Sequence, residues 1–428
     1  MNKVYSDRYR ESYVEQTLDN GLKVILWEKK DYLKSHFMLV TPFGGVGLKQ
    51  LDEQGNVFEF HPGIAHFLEH KMFEDDQKDI MQLFSQLGAN VNAFTSYQET
   101  AYYFNTSEEP YEALSLLLDF VQELKISEES VEKEKGIIIQ ELQMYQQMSD
   151  SRLLNETYAS LFHHYPMRLD IGGDAESVSS ITKKELENCY ALNYHPSKMV
   201  LIGVSGYDCE KLLEWIKKNQ DAKSFPKVAD VKTVFEDEPK EVVRKEHVFS
   251  MDVTSPKINI AYKLGGIADG LERLKKEWCI KLLLDCYFSS LNADYQRWMS
   301  EAIINDYYNY DIEINEHYGC MMFYCETEKV EEFKKVITAT LQKALTNGIN
   351  EKQLELLKRR YYGQSVRDLN NFDDISFTFM KNYFMQVDFF ESMDLILDIT
   401  VEDIEKAIEY LDLEHSAIIE ITPLREGH

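Results

Sequence analysis

The sequence predicts an α+β protein built from two similar domains. Three observations carry that prediction. The chain has 428 residues, too long for one ordinary domain. Within each half, β-rich runs and helix-period runs follow one another in mixed order. Two separate sequence echoes also recur at nearly the same offset, the mark of an internal duplication.

The elements read as follows. In TLDNGLKVILWEK, residues 17–29, Asn20-Gly21 signals a turn and LKVILW a strand. SHFMLVTPFGG follows as a second strand that ends in glycines. The apolar spacing around His66 suits a helix, and KDIMQLFSQLGA reads as another. NVNAFTSYQETAYYFNT gives two strands, and EALSLLLDFVQEL an amphipathic helix. Ser127 caps a predicted long helix from about Glu128 through the 150s. Thr182 and Glu185 form a predicted capping box before a helix, and KMVLIGV is the strand after it.

The chain's end repeats that last unit. Ile399-Thr400 echoes Ile181-Thr182, Asp403 echoes Glu185 and Glu405 echoes Glu187, all 218 residues on. Phe43-Gly44-Gly45 is echoed by Leu264-Gly265-Gly266 at an offset of 221. Between the halves, DAKSFPKVADVKTVFEDEPKEVV is charged, broken by prolines and reads as a linker. The expected division is 1–222, a linker at 223–245, and 246–428.

Composition narrows the function. A net charge of −28 repels nucleic acid and anionic lipid, and it attracts cationic ligands such as basic peptides. A solvated acidic surface is the plainer reading of the same number. No long apolar run suggests a membrane span, and the first residues do not read as a signal peptide. The six cysteines make no CxxC pair and suggest no disulfide framework, so a reducing cytoplasm is expected. No GxSxG motif, Walker loop or dinucleotide fingerprint occurs.

One stretch concentrates chemistry: HPGIAHFLEHKMFEDD, residues 61–76. On a helix His66 and His70 share a face, and Glu69 lies beside them. Neutral imidazoles and carboxylates are natural Zn²⁺ ligands, and a carboxylate beside an activated water can move its proton. At this composition HxxEH arises by accident only about 0.03 times in such a chain. A third ligand has to come from elsewhere. VEKEKGIIIQELQMYQQM carries Glu134 and Glu141 two helical turns apart, beside a run of isoleucines. An acid on an apolar helix face is costly without a partner, and a metal supplies one. His163-His164 fits a helix end better than a metal site.

HFLEH resembles the inverted zinc motif of the inverzincins, the pitrilysin or insulinase family of metallopeptidases. TLDNGLKV, GIAHFLEHKMF, GANVNAFTSYQETAYYF, EKEKGIIIQEL and YHPSKMVLIGVSG all resemble segments of that family. The likeness is to its short two-domain members, which include bacterial peptidases and the mitochondrial processing peptidase. It implies two homologous α+β domains, each a mixed, largely antiparallel sheet packed with helices, forming half of a clamshell chamber. It also implies a zinc-dependent endopeptidase in which His66, His70 and Glu141 hold Zn²⁺ and Glu69 is the base. Glu134 then supports the site from behind a ligand. Substrate peptides add as a strand along Ala89, Asn90, Val91, Asn92, Ala93 and Phe94, with Asn92 the side chain expected to touch them.

The likeness fails at one place. Members that act alone carry an arginine and a tyrosine seven apart in the second half, which steady the substrate carbonyl. Here Met299 stands at the arginine position and Asp306 or Tyr307 near the tyrosine, with Arg297 two residues off. The expectation is a heterodimer whose related, metal-free partner supplies that pair, with a homodimer as runner-up. A non-catalytic scaffold and a peptide-recognition subunit of the same fold remain open alternatives.

Overall fold

The computed structural model describes residues 1–75 and 78–424. Its chain forms two compact units. One comprises Met1–Gln143, Leu169–Phe235 and Val366–Phe384; the other comprises Met144–Arg168, Glu236–Ser365 and the chain from Met385 onward. Each unit therefore holds a segment from the opposite half of the sequence.

The first unit is built on a seven-stranded sheet. Its strands run Asn2–Ser6, Glu11–Thr17, Lys23–Glu28, Val200–Ser205, Ser35–Thr41, Thr100–Thr106 and Ala89–Thr95. The central strands are buried on both faces, which explains their near-continuous apolar runs. One face is covered by helices that include Tyr111–Val121, Lys183–Asn193 and Cys209–Asp221. Against the other lies helix Phe372–Met385, whose Phe379 meets Tyr13 and Trp27 edge-on at 4.8 and 5.7 Å between ring centroids. Asp373 of that helix reaches buried His36 at 3.0 Å and Lys34 at 2.8 Å.

The second unit repeats the plan with five strands: Glu246–Met251, Ser416–Pro423, Lys257–Gly265, Tyr318–Glu326 and Asn309–Ile314. The first pair is parallel and the rest antiparallel. Lys23–Glu28, Val200–Ser205, Ser35–Thr41, Thr100–Thr106 and Ala89–Thr95 follow the same order and directions. The two echoes thus sit beside equivalent strands of one repeated topology: Thr182 and Thr400 cap the helices that precede Val200–Ser205 and Ser416–Pro423, and the glycine pairs mark the ends of Ser35–Thr41 and Lys257–Gly265. Helices Gly270–Phe288 and Val330–Asn347 contribute Leu283, Phe288, Phe333 and Ile337 to the core of this unit.

Local expectations meet several corrections. The long helix runs Glu128–Gln147 and stops; Met148 is extended, and a separate helix, Ser149–Leu161, buries Leu153, Tyr158 and Leu161 in the second unit. Thr182 caps its helix by accepting from the Glu185 amide, but Glu185 does not close a box. Its carboxylate instead accepts from the amide of His61 at 2.8 Å and meets the His61 ring at 3.0 Å. The full capping box occurs in the echo, at Thr400 and Asp403. Within 223–245, Val231–Thr233 pairs with strand Lys49–Asp52, and Glu238 accepts three successive amides, from His163, His164 and Tyr165. Those amides follow the end of helix Ser149–Leu161, where His163-His164 were expected, and they are held by an acid.

Candidate metal centre

The site is assembled on helix Ile64–Met72. Ile64, Ala65, Phe67, Leu68 and Met72 face the core, which leaves His66, Glu69 and His70 half-buried on the remaining side. The helix starts sharply because Gly63 adopts φ 91°. A Cβ at Gly63 would lie 2.3 Å from the carbonyl oxygen of Gly172, so only glycine lets the segment after Arg168 pass across the helix start. Gly172 in turn sits beside His66; a Cβ there would lie 3.5 Å from Nδ1 and 2.6 Å from Leu142 Cδ2. Sequence reasoning missed these glycines, because their signal is a close approach between segments far apart in the chain.

Helix Glu128–Gln147 supplies the acids. It is anchored by buried Val131, Ile138 and Leu142, and Glu134 and Glu141 stand half-buried on its flank. Glu141 Oε2 lies 3.2 Å from His70 Nε2 and 3.8 Å from His66 Nε2. One donor atom from each of the three residues falls within 4.8 Å of the others. Zinc–ligand distances near ~2.1 Å in a tetrahedron put neighbouring donors about 3.4 Å apart. The observed separations bracket that value, so these side chains fit the ion.

Each imidazole is conditioned by its surroundings. Burial, followed by the neighbouring His70 charge, lowers the pKa of His66 to about 4, which keeps the ring neutral as a ligand must be. Burial also pulls His70 down, but the hydrogen bond to Glu134 and the charges of Glu141 and Glu134 outweigh it, and its pKa ends raised. Glu134 Oε1 meets His70 Nδ1 at 3.0 Å. That bond places the proton on Nδ1 and turns Nε2 toward Glu141. Behind Glu134 stands Lys71, fully buried, with its Nζ 3.9 Å from Glu134 Oε2 and 3.3 Å from the Ser130 carbonyl oxygen. Sequence reasoning passed over Lys71, since helical phase alone did not reveal its burial.

Glu69 faces the same region. Burial raises its carboxyl above the ordinary carboxylate value, offset in part by a hydrogen bond from Thr95 and by the charge of His70. The Thr95 hydroxyl donates to Glu69 Oε2 at 2.6 Å. Thr95 closes the strand Ala89–Thr95, an edge of the sheet paired, among the described residues, only with Thr100–Thr106. The bond from the Ser96 amide to the Glu99 carbonyl, 2.8 Å, sets the phase of that ladder. By alternation the amides of Asn90, Asn92 and Phe94 face the partner strand, while those of Ala89, Val91, Ala93 and Thr95 face off the edge. The Asn92 side chain folds back to accept from the Ala93 amide at 2.9 Å. It therefore already engages one of the outward amides of that edge.

The arginine and tyrosine expected of self-sufficient members are absent from the segment read for them. Met299 packs against the core of the second unit. Arg297 is exposed and paired with Asp294 and Glu301. Tyr307 donates its hydroxyl to Asp150 at 2.6 Å.

Comparison with known proteins agrees with this geometry. Residues 58–175 match the profile described as insulinase (peptidase family M16), and residues 180–361 match the profile of the peptidase M16 inactive domain. An uncharacterized zinc protease, YmfH, of Bacillus subtilis is 32% identical over 405 residues, which is 94% of each chain. The chain belongs to the insulinase family of peptidases, family M16.

Other members of the M16 family extend the likeness. The probable mitochondrial-processing peptidase subunit beta of Arabidopsis thaliana is 31% identical over 209 residues, 47% of this chain and 37% of that one. The crystal structure of a putative M16-like peptidase from Alicyclobacillus acidocaldarius superposes with a TM-score of 0.92 at 29% identity, over 96% of this chain and 98% of that one. The M16 profile, the relatives named zinc proteases and the His-His-Glu group identify zinc as the cofactor. No helix among the described residues is long and apolar enough to cross a membrane.

Proposed function

We propose that this chain is a zinc endopeptidase that cleaves extended peptides or unfolded segments, with His66, His70 and Glu141 as ligands and Glu69 as base. The observation that carries the reading is the convergence of those three donor atoms within 4.8 Å, beside a carboxylate already fixed by Thr95. Zinc held there supplies a Lewis acid that brings the pKa of water down toward ~7. Glu69 takes the proton from the attacking water and returns it to the leaving amine. Its Oε2 is occupied by Thr95, which leaves Oε1 for the proton. Glu134 keeps His70 in the ligating tautomer.

Substrate binds as an added strand along Ala89 to Phe94, using the outward amides and making little demand on sequence. Asn92 swings off the Ala93 amide as the peptide arrives. The net charge of −28 favours basic peptides. Met299 packed against the core and Arg297 tied to acids support a heterodimer in which a related, metal-free partner brings the arginine and tyrosine. Six unpaired, buried cysteines support a reducing, cytoplasmic setting.

The test is peptide hydrolysis by the zinc-loaded chain, alone and with its related partner, beside Glu69→Gln. The variant should keep zinc and peptide binding and lose cleavage. Retained cleavage removes the assigned chemistry. Peptide binding without cleavage by the wild type in every combination favours the peptide-recognition alternative. Full turnover by the chain alone rules out the requirement for a heterodimer.

A further inference from the structure

We infer that Thr95 is the positioning residue for the base, and that it ties Glu69 to the strand that receives substrate. The inference rests on the reading of Glu69 as base given above. Helix Ile64–Met72 fixes the backbone of Glu69, but its side chain has several rotatable bonds beyond the helix. The short bond from the Thr95 hydroxyl, 2.6 Å to Oε2, removes that freedom.

The donor is itself rigid. Threonine is stiff at χ1 because it branches at Cβ. Thr95 pairs with Thr100, whose buried hydroxyl donates to the Phe43 carbonyl at 2.8 Å. The Ser96 amide closes the hairpin onto Glu99. The ladder phase turns the Thr95 amide off the edge, in line with those of Ala93 and Val91. A peptide pairing there lies against the same strand that aims the carboxylate. Docking and proton transfer thus share one rigid reference, and the hydroxyl acts on kcat without contributing to affinity.

The experiment compares wild type, Thr95→Ser and Thr95→Val as zinc-loaded full-length protein, with the partner subunit present if turnover requires it. Crystals report the Glu69 carboxylate, metal analysis reports zinc per chain, and a fluorogenic peptide reports kcat and KM. Thr95→Val should lose about 10- to 100-fold in kcat, with KM within about twofold and zinc unchanged. Its Glu69 carboxylate should leave the wild-type position. Thr95→Ser, which keeps the donor, should stay within about threefold of wild type and hold the carboxylate in place. The inference is overturned by a Thr95→Val chain with wild-type kcat or an unmoved carboxylate. A Thr95→Ser chain as slow as Thr95→Val, or a loss carried by KM or by zinc content, overturns it equally. Glu69→Gln turning over normally would instead remove the reading of Glu69 as base while the Thr95 contact remained visible in wild-type crystals.

Discussion

On the proposed ligand set, removing the carboxylate behind His70 should loosen the metal without touching a ligand. Glu134 is 13% exposed at its side chain, and its Oε1 lies 3.0 Å from His70 Nδ1. A hydrogen bond to a charged group in such a place is worth about 1.5–3 kcal/mol. At about 1.4 kcal/mol per tenfold, that is roughly 10- to 100-fold in zinc affinity. Glu134→Ala should therefore weaken zinc binding by that factor, because His70 can then present either nitrogen and rotate. Glu134→Gln keeps an acceptor oxygen but loses the charge, so its loss should fall near the lower end, about tenfold. Competition with a chromophoric chelator at neutral pH measures both, and circular dichroism checks that each variant is folded. A folded Glu134→Ala chain that holds zinc within about twofold of wild type would refute the argument that Glu134 orients His70.

The other predictions concern how the site is held and what reaches it. Asp373→Asn should cost about 1.5–3 kcal/mol at pH 7, read from denaturant midpoints, since the carboxylate binds His36, Lys34 and Asn105. The hydrogen bond to His36, then that to Lys34, hold the Asp373 carboxyl well below its ordinary value of 3.8 against the cost of burial. Its stabilisation is in place above that ordinary value and is lost as pH falls toward the depressed one. The gap between wild type and Asp373→Asn should accordingly narrow below pH 3.8, and a gap independent of pH would contradict this. Gly63→Ala places a Cβ 2.3 Å from the Gly172 carbonyl oxygen at positive φ, so it should lose at least about 2 kcal/mol of stability and bind less zinc. Normal thermal unfolding and zinc content would count against that account. Finally, KM for a basic peptide should rise with salt while that for a neutral one stays flat, if the acidic surface recruits substrate.

Much of the fold was legible because local physics writes it into the chain. Central strands buried on both faces show as apolar runs, as in KVILWE. The turn at Asn20-Gly21 shows as well: Gly21 takes φ 90°, and the Asn20 side chain accepts from the Leu22 amide. The echoes marked a repeat that recurs as one strand order in both sheets. Covering surfaces were not legible. Periodicity says that Phe372–Met385 has an apolar face; it does not say that Tyr13 and Trp27, more than 300 residues earlier, lie beneath Phe379. The break at Met148 was hidden for a similar reason, since no proline or glycine marks it.

The sequence by itself determined the donor types and their helical phase: His66 and His70 one turn apart, Glu134 and Glu141 two turns apart. These follow from a 3.6-residue period that every helix obeys. Tertiary structure alone decided that the two helices bring their donors within 4.8 Å, that Thr95 grips Glu69, and that Gly63 and Gly172 meet at the helix start. Those facts depend on distances between segments remote in the chain. Such distances are set by how whole faces bury one another, and no local pattern of residues encodes them.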